Sequence, residues 1–224
     1  MKRYTIGILF WLLSIFSLSA QERHEENFKL QNGDIIFQEA CSGNMNEAIK
    51  AVTTAIEGYN FTHVGMVWID SLNQVYVVEA THPRVQITPI AAFLIPKGKE
   101  DCPPVSVVGR LTAAYQPLIP QAIQEAKKHV GKLYDDAFDL KNDTYYCSEL
   151  VYLALYEANQ QRDVFPLNVM TFKSAQTGAY APYWVSHFEQ QGVAIPEGEL
   201  GINPGAMSKA ADIIDIVYAY PRTK

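Results

Sequence analysis

Three side chains in this sequence have the chemistry of a nucleophile, its base and an orienting acid: Cys147, His63 and Glu79. Cys147 stands in Tyr145-Tyr146-Cys147-Ser148-Glu149-Leu150-Val151-Tyr152, between a polar loop and the first turn of an apolar helix. Lys141-Asn142-Asp143-Thr144 before it is rich in turn and cap formers, and Ser148 to Ala158 contains neither Gly nor Pro. A thiol at a helix start meets the positive end of the helix dipole, which favours the nucleophilic thiolate. The competing reading is a buried structural cysteine, a common fate for a free thiol. A base must therefore be found elsewhere.

Thr62-His63-Val64-Gly65-Met66-Val67 and Val75-Tyr76-Val77-Val78-Glu79-Ala80 supply a base and an acid in two strand-like segments joined by Asp70-Ser71-Leu72-Asn73. A turn centred on Ser71 pairs Val67 with Val75, Gly65 with Val77 and His63 with Glu79. A carboxylate there would hold one imidazole nitrogen and leave the other to take a thiol proton. The structural alternative is a satisfied strand histidine and a solvated strand-end glutamate. Against it, both groups interrupt apolar strands, where burial is costly without a partner, and Gly65 clears space on the face of His63.

The surrounding elements follow from pattern. Ile35-Ile36-Phe37 after Gly33-Asp34 reads as a buried strand. Asn44 to Glu57 reads as a helix with Met45, Ala48, Ile49, Val52 and Ile56 on one face. Strands are expected over 62–69, 74–80, 85–90, 105–111 and 212–220, a loop over 96–104, and a helix from Pro120 to Val130 stopped by Gly131. Phe165 to Phe188 is aromatic, mixed in polarity and fits no single element. Its Tyr183, Trp184 and Phe188 suit either a core or an apolar cleft. Strands first and helices after, paired locally, indicate an α+β fold with a mainly antiparallel sheet.

Lys2 and Arg3, the uncharged run Ile6 to Leu18, and Ser17-Leu18-Ser19-Ala20 have the order of a secretory signal peptide. The run spans about 20 Å as a helix, short of a hydrocarbon core of about 30 Å. The expectation is a signal over 1–20 and a single exported domain over 21–224, periplasmic or extracellular. Removing Lys2 and Arg3 from the 18 Lys and Arg leaves 16 against 24 Asp and Glu, a net −8. That balance speaks against nucleic acid as a partner and gives no support for contact with anionic lipid.

Cys41, Cys102 and Cys147 make an odd count, so at least one thiol stays outside any disulfide. Pairing Cys41 with Cys102 would leave Cys147 free, although a domain of this size needs no staple. No Cys-x-x-Cys or paired-His spacing occurs, and the histidines are scattered at 24, 63, 82, 129 and 187. No metal or other cofactor is expected. His82 reads as a rim residue in a turn, and His129 as a residue near a helix C-terminus.

Gly33-Asp34-Ile35-Ile36-Phe37, Thr62-His63-Val64-Gly65-Met66, Val78-Glu79-Ala80 and Tyr146-Cys147-Ser148-Glu149-Leu150-Val151 resemble, in this order, the circularly permuted NlpC-like papain-fold hydrolases of the YiiX/YebB-like branch. Gly131-Lys132-Leu133-Tyr134-Asp135 and Phe138 resemble that branch's lead-in to the Cys helix. The resemblance implies a papain-like core, a central antiparallel sheet or partial barrel with the Cys helix packed on it. It implies Cys147 as nucleophile, His63 as base and Glu79 as orienter. Backbone N–H groups at the helix start would meet the oxyanion, with Tyr134 or Tyr146 as candidate hydroxyl donors. The substrate expected is a peptide, an amide or an acyl lipid, with cell-wall peptides first. A large apolar pocket beside Cys147 would favour the acyl lipid, a polar groove the peptide. A binding module with a relict triad is the non-catalytic alternative.

Overall fold

A computed structural model of the protein describes residues 28–222, and the expected signal peptide lies outside them. Gln31–Lys224 forms one compact unit, and its fold is the subject here. Six strands form one sheet: β1 (Ile35–Glu39), β2 (His63–Ile69), β3 (Val75–Thr81), β4 (Arg84–Pro89), β5 (Val105–Leu111) and β8 (Ile214–Ala219). Their spatial order is β4-β3-β2-β1-β5-β8, and every neighbouring pair is antiparallel. The sheet is open at both edges. The helices are α1 (Asn44–Val52), α2 (Ile90–Leu94), α3 (Ile119–Lys128), α4 (Cys147–Ala158), α5 (Pro182–Gln191) and α6 (Pro204–Ser208), and β6 (Asn168–Val169) pairs with β7 (Leu200–Gly201). This is the expected α+β architecture, without closure into a barrel.

Alternation along the strands sorts the side chains. Ile35, Phe37, Val64, Met66, Val78 and Ala80 face α4, whose Leu150, Val151, Ala154 and Leu155 are buried against them. An apolar stripe of α3, including Ala122, Ile123 and Ala126, joins the same core. At the start of β1, Asp34 is buried and accepts a fork of hydrogen bonds from Arg110 of β5, Nε to Oδ1 at 2.8 Å and Nη2 to Oδ2 at 2.9 Å. This pair locks the two strands in register.

Helix α1 ends at Val52, five residues before the expected Glu57. Thr53 turns its hydroxyl back onto the carbonyl of Ile49 at 3.0 Å, and its own N–H closes on the same oxygen. Hydroxyl competition of this kind stops a helix. Cys41 and Cys102 form a disulfide with Cα atoms 5.8 Å apart. It ties the lead-in of α1 to the loop over 96–104, a staple that the size of the domain did not demand.

The β2–β3 register differs from expectation by two residues. Val67 pairs with Val77 and Ile69 with Val75, so Gly65 comes opposite Glu79 and His63 opposite Thr81. The cause is a longer turn. Asp70 Oδ1 accepts the N–H groups of Leu72 and Gln74, both at 2.8 Å, and Asn73 takes a left-handed conformation at φ 60°. Asparagine tolerates that region, and the two extra residues of the turn re-register the strands. A slip of two keeps side chains on their expected face, so Glu79 and His63 become diagonal neighbours with Gly65 between them.

A Cβ at Gly65 would lie 2.4 Å from Val77 Cγ1 and 3.3 Å from Glu79 Cβ. The glycine leaves the space over which Glu79 leans toward His63. Gly65→Ala should cost about 1–3 kcal/mol of stability through overpacking and should lower activity by displacing Glu79. Urea unfolding beside an activity assay checks both.

Candidate active site

The site lies where the first residue of β2 meets the first turn of α4. Glu79 Oε2 is 2.6 Å from His63 Nε2. The opposite carboxylate oxygen, Oε1, accepts from Gln86 Nε2 at 3.2 Å and from the Thr88 hydroxyl, both on β4. Gln86 stands directly across from Glu79 in the β3–β4 ladder. Burial opposes charge on Glu79, yet the His63 hydrogen bond and charge, with Thr88 and Gln86, keep its pKa below the ordinary carboxylate value. With Nε2 engaged, Nδ1 is the His63 nitrogen left for Cys147, whose nearness is among the influences that raise the imidazole pKa.

His63 is raised to about 10. Burial disfavours the imidazolium, but the hydrogen bonds to Cys147 and Glu79 and the charges of both outweigh it. Its ring lies 5.7 Å from that of Phe93 in α2. Beside it across β1, Gln38 Nε2 donates to the Phe93 carbonyl at 2.9 Å and to Ser106 Oγ at 3.0 Å. The base is thus packed between a fixed ring and a fixed amide.

Cys147 is 5 % exposed and opens helix α4. The first N–H groups of any helix lack intrahelical acceptors, so donors converge beside the sulfur. The residues on either side of Cys147 grip the backbone of one residue, Ile202, through both its N–H and its carbonyl. Ser148 Oγ donates to the carbonyl of Ile202 at 3.0 Å, and the Tyr146 hydroxyl accepts the Ile202 N–H at 3.2 Å. Tyr146 is therefore engaged with the scaffold as well as lining the site.

Tyr134 lies in the lead-in loop, bridged to Tyr145 and bonded through its N–H to the Pro83 carbonyl at 3.1 Å. Buried Asp135 shapes this loop by accepting the N–H groups of Ala137 at 2.9 Å and Asp139 at 2.7 Å. Burial, and then the charge at Cys147, push the Tyr134 phenol well above its ordinary pKa, so it stays a proton donor. Among the described residues, the other histidines are engaged elsewhere. His82 Nε2 lies 2.9 Å from Asp136 Oδ1, and His187 Nε2 donates to the Asp136 carbonyl at 2.7 Å. His129 caps α3 with its ring 4.2 Å from that of Tyr145.

Two pockets flank the site. One, with about 640 Å³ of empty space, is lined by Cys147 and by Ile49, Val52, Phe138, Met170, Phe172 and Trp184. Of Tyr183, Trp184 and Phe188, which suited either a core or a cleft, Trp184 lines this pocket. Phe188 packs beneath in a cluster with Phe172, whose ring is 5.1 Å away. The other pocket, with about 890 Å³, is lined by His63 and by Gln38, Ser42, Asn46, Thr81 and Lys99. Among the described residues, no group of three His, Cys, Asp or Glu side chains is arranged to hold a metal ion.

The family model of the permuted papain-like amidase enzymes, YaeF/YiiX, C92 family, matches residues 29–214. The chain belongs to this family. It is accordingly a papain-like hydrolase of the cysteine amidase and peptidase kind. It is 30% identical over 193 residues to the uncharacterized protein YiiX of Escherichia coli K12, covering 85% of this chain and 88% of that one. It is also similar to the crystal structure titled metalloprotein yiiX from Escherichia coli O157:H7. That likeness has a TM-score of 0.68 and 26% identity, covering 86% of this chain and 99% of that chain.

Glu149 is a member of the site that sequence reasoning passed over. It is 0 % exposed in the first turn of α4, where its Oε2 accepts the Tyr146 N–H at 3.1 Å, while Oε1 has no hydrogen-bond partner. Burial pushes its pKa to about 9, helped by the charges of Asp135, Asp139 and Cys147 and opposed by the Tyr146 N–H. A carboxyl in the signature Cys-Ser-Glu-Leu was visible, but its burial was not. Its raised pKa means that folding takes up a proton between the ordinary carboxylate value and about 9, so this group lowers stability as pH rises through that window. Glu149→Gln, which mimics the neutral acid, should raise stability at pH 8 and leave it little changed at pH 4. Thermal melts at both values test this.

Proposed function

We propose that the protein is an exported thiol amidase in which Cys147 is the nucleophile, His63 the general acid and base, and Glu79 the residue that orients the imidazole. The observation that carries this reading is the placement of His63 between the Glu79 carboxylate, 2.6 Å from Nε2, and the Cys147 thiol. Glu79 fixes the ring and its tautomer, and the raised pKa keeps a proton on His63 across neutral pH. The Cys147 thiolate attacks the amide carbonyl, and the oxyanion meets the N–H of Cys147 at the helix start and the Tyr134 hydroxyl. His63 protonates the departing amine, and water then hydrolyses the thioester with His63 as base. Export is supported by the charged, apolar, small-residue order of residues 1–20 and fits the Cys41–Cys102 disulfide.

An acyl-lipid substrate, with hydrolysis or acyl transfer through the same thioester, is the second reading. It is favoured over a cell-wall peptide by the mainly apolar pocket against Cys147.

Cys147→Ser should retain the fold and lose nearly all turnover, because a serine hydroxyl does not yield an easily formed anion. Near-full activity in this variant would remove the nucleophile assignment. In the intact protein, kcat/KM should hold on the alkaline side until about pH 10, where the imidazolium loses its proton. Glu79→Gln removes one of the groups that raise His63, so its alkaline limb should move toward the ordinary histidine value of about 6.5. A pH profile of both forms on one amide substrate measures the shift.

A further inference from the structure

The β3–β4 hairpin reaches the active site at two points. On β3, Glu79 holds His63. In the turn that follows, His82 lies with its ring 4.1 Å from that of Tyr134, and Pro83 accepts the Tyr134 N–H at 3.1 Å. Tyr134 is thus docked on this turn by both its ring and its backbone. His82 lines the pocket of His63, and Tyr134 lines that pocket and the pocket of Cys147. Resting on the thiol amidase reading, we infer that His82 is a positioning residue: held by Asp136, its ring props the Tyr134 phenol at the oxyanion of the acyl-transfer steps.

His82 can serve as a prop because it is itself fixed. Its side chain is half-exposed, and a half-exposed imidazole without a partner keeps its rotamer freedom. Here Nε2 lies 2.9 Å from Asp136 Oδ1. The main-chain carbonyl of Asp136 accepts in turn from His187 Nε2 of α5 at 2.7 Å. Two histidines from separate elements therefore hold Asp136, two residues beyond Tyr134. The bond to His82 also has an electrostatic use. The charge of Asp136 is among those that reach the Tyr134 phenol, and an unmatched carboxylate there would oppose a second negative charge on the substrate oxygen. As the Cys147 sulfur bonds to the carbonyl carbon, the π pair of C=O moves onto oxygen, and the phenol O–H hydrogen bond to it strengthens without proton transfer. The pair returns when the leaving group departs. Such a donor acts only in the transition state, so it must be in place before the charge develops.

Two reagents separate a positioned phenol from a reactive thiol. p-Nitrophenyl acetate acylates Cys147 through an oxyanion and leaves an acetyl thioester that mass spectrometry detects. Iodoacetamide alkylates the same sulfur with no oxyanion. Tyr134→Phe should slow acetylation about 100-fold and His82→Ala about 10-fold, the costs of an absent and of a misplaced donor. Alkylation of His82→Ala should stay within about 2-fold of the unsubstituted protein, because the thiolate and its base are untouched. Added to Tyr134→Phe, His82→Ala should slow acetylation no further, as expected of a residue that acts through the phenol. Asp136→Asn keeps the size of the residue that holds His82 and should lower acetylation in the same selective way, which guards against a folding defect in His82→Ala. Equal losses with both reagents, loss with neither, or a multiplied loss in the double variant would overturn the positioning role and leave the thiol amidase standing. No acetyl thioester on Cys147 of the unsubstituted protein would overturn both.

Discussion

The structure depends on keeping a carboxylate ionised inside a sheet. Glu79 is 5 % exposed, and a charge so placed is costly unless every lone pair is met. One oxygen takes His63 and the other takes Gln86 and Thr88, so three strands, β2 to β4, are committed to one side chain. The bare Gly65, the length of the Asp70–Asn73 turn and the ladder between β3 and β4 all serve this arrangement. Once the carboxylate is fixed the imidazole is fixed, and the imidazole sets where the thiol must arrive.

The thiol is delivered by a different kind of order. Helix α4 is apolar around most of its surface and is wedged between the sheet and α3. Its start is aligned by Ser148 and Tyr146, which hold Ile202 from both sides. Glu149, kept neutral, adds no negative charge beside a sulfur that must itself become negative. The hairpin supplies charge with full hydrogen bonding, whereas the helix supplies shape and donors.

Much of this was legible in the sequence because it is local. The strands over 35–37, 62–69 and 74–80 follow from their apolar patterning, and the Cys helix from its apolar run without Gly or Pro. His63 and Glu79 stand out because each interrupts an apolar strand, and Cys147 because it stands where a polar loop meets an apolar helix. What was not legible depends on contacts between distant segments or on turn geometry. The register slipped by two because Asp70 and Asn73 build a longer turn than the residue types alone specify. The segment over 165–188 resisted assignment because it runs from a two-residue strand through a loop into α5, and the buried face of that helix, Trp184 and Phe188, packs with Phe172 of the loop and with Ala48 of α1. The burial of Glu149 was not legible because burial is a property of the whole packing.

The chain order of the site has a consequence for when it becomes reactive. His63 and Glu79 lie in adjacent strands joined by a short turn, so their pairing closes a small loop and is entropically cheap. Cys147 follows His63 by 84 positions and meets it only after α4 has docked. Before docking, the cysteine has no base and no convergent donors, so the nascent polypeptide travels with an inert sulfur. The warhead arms itself only on completion of the native topology.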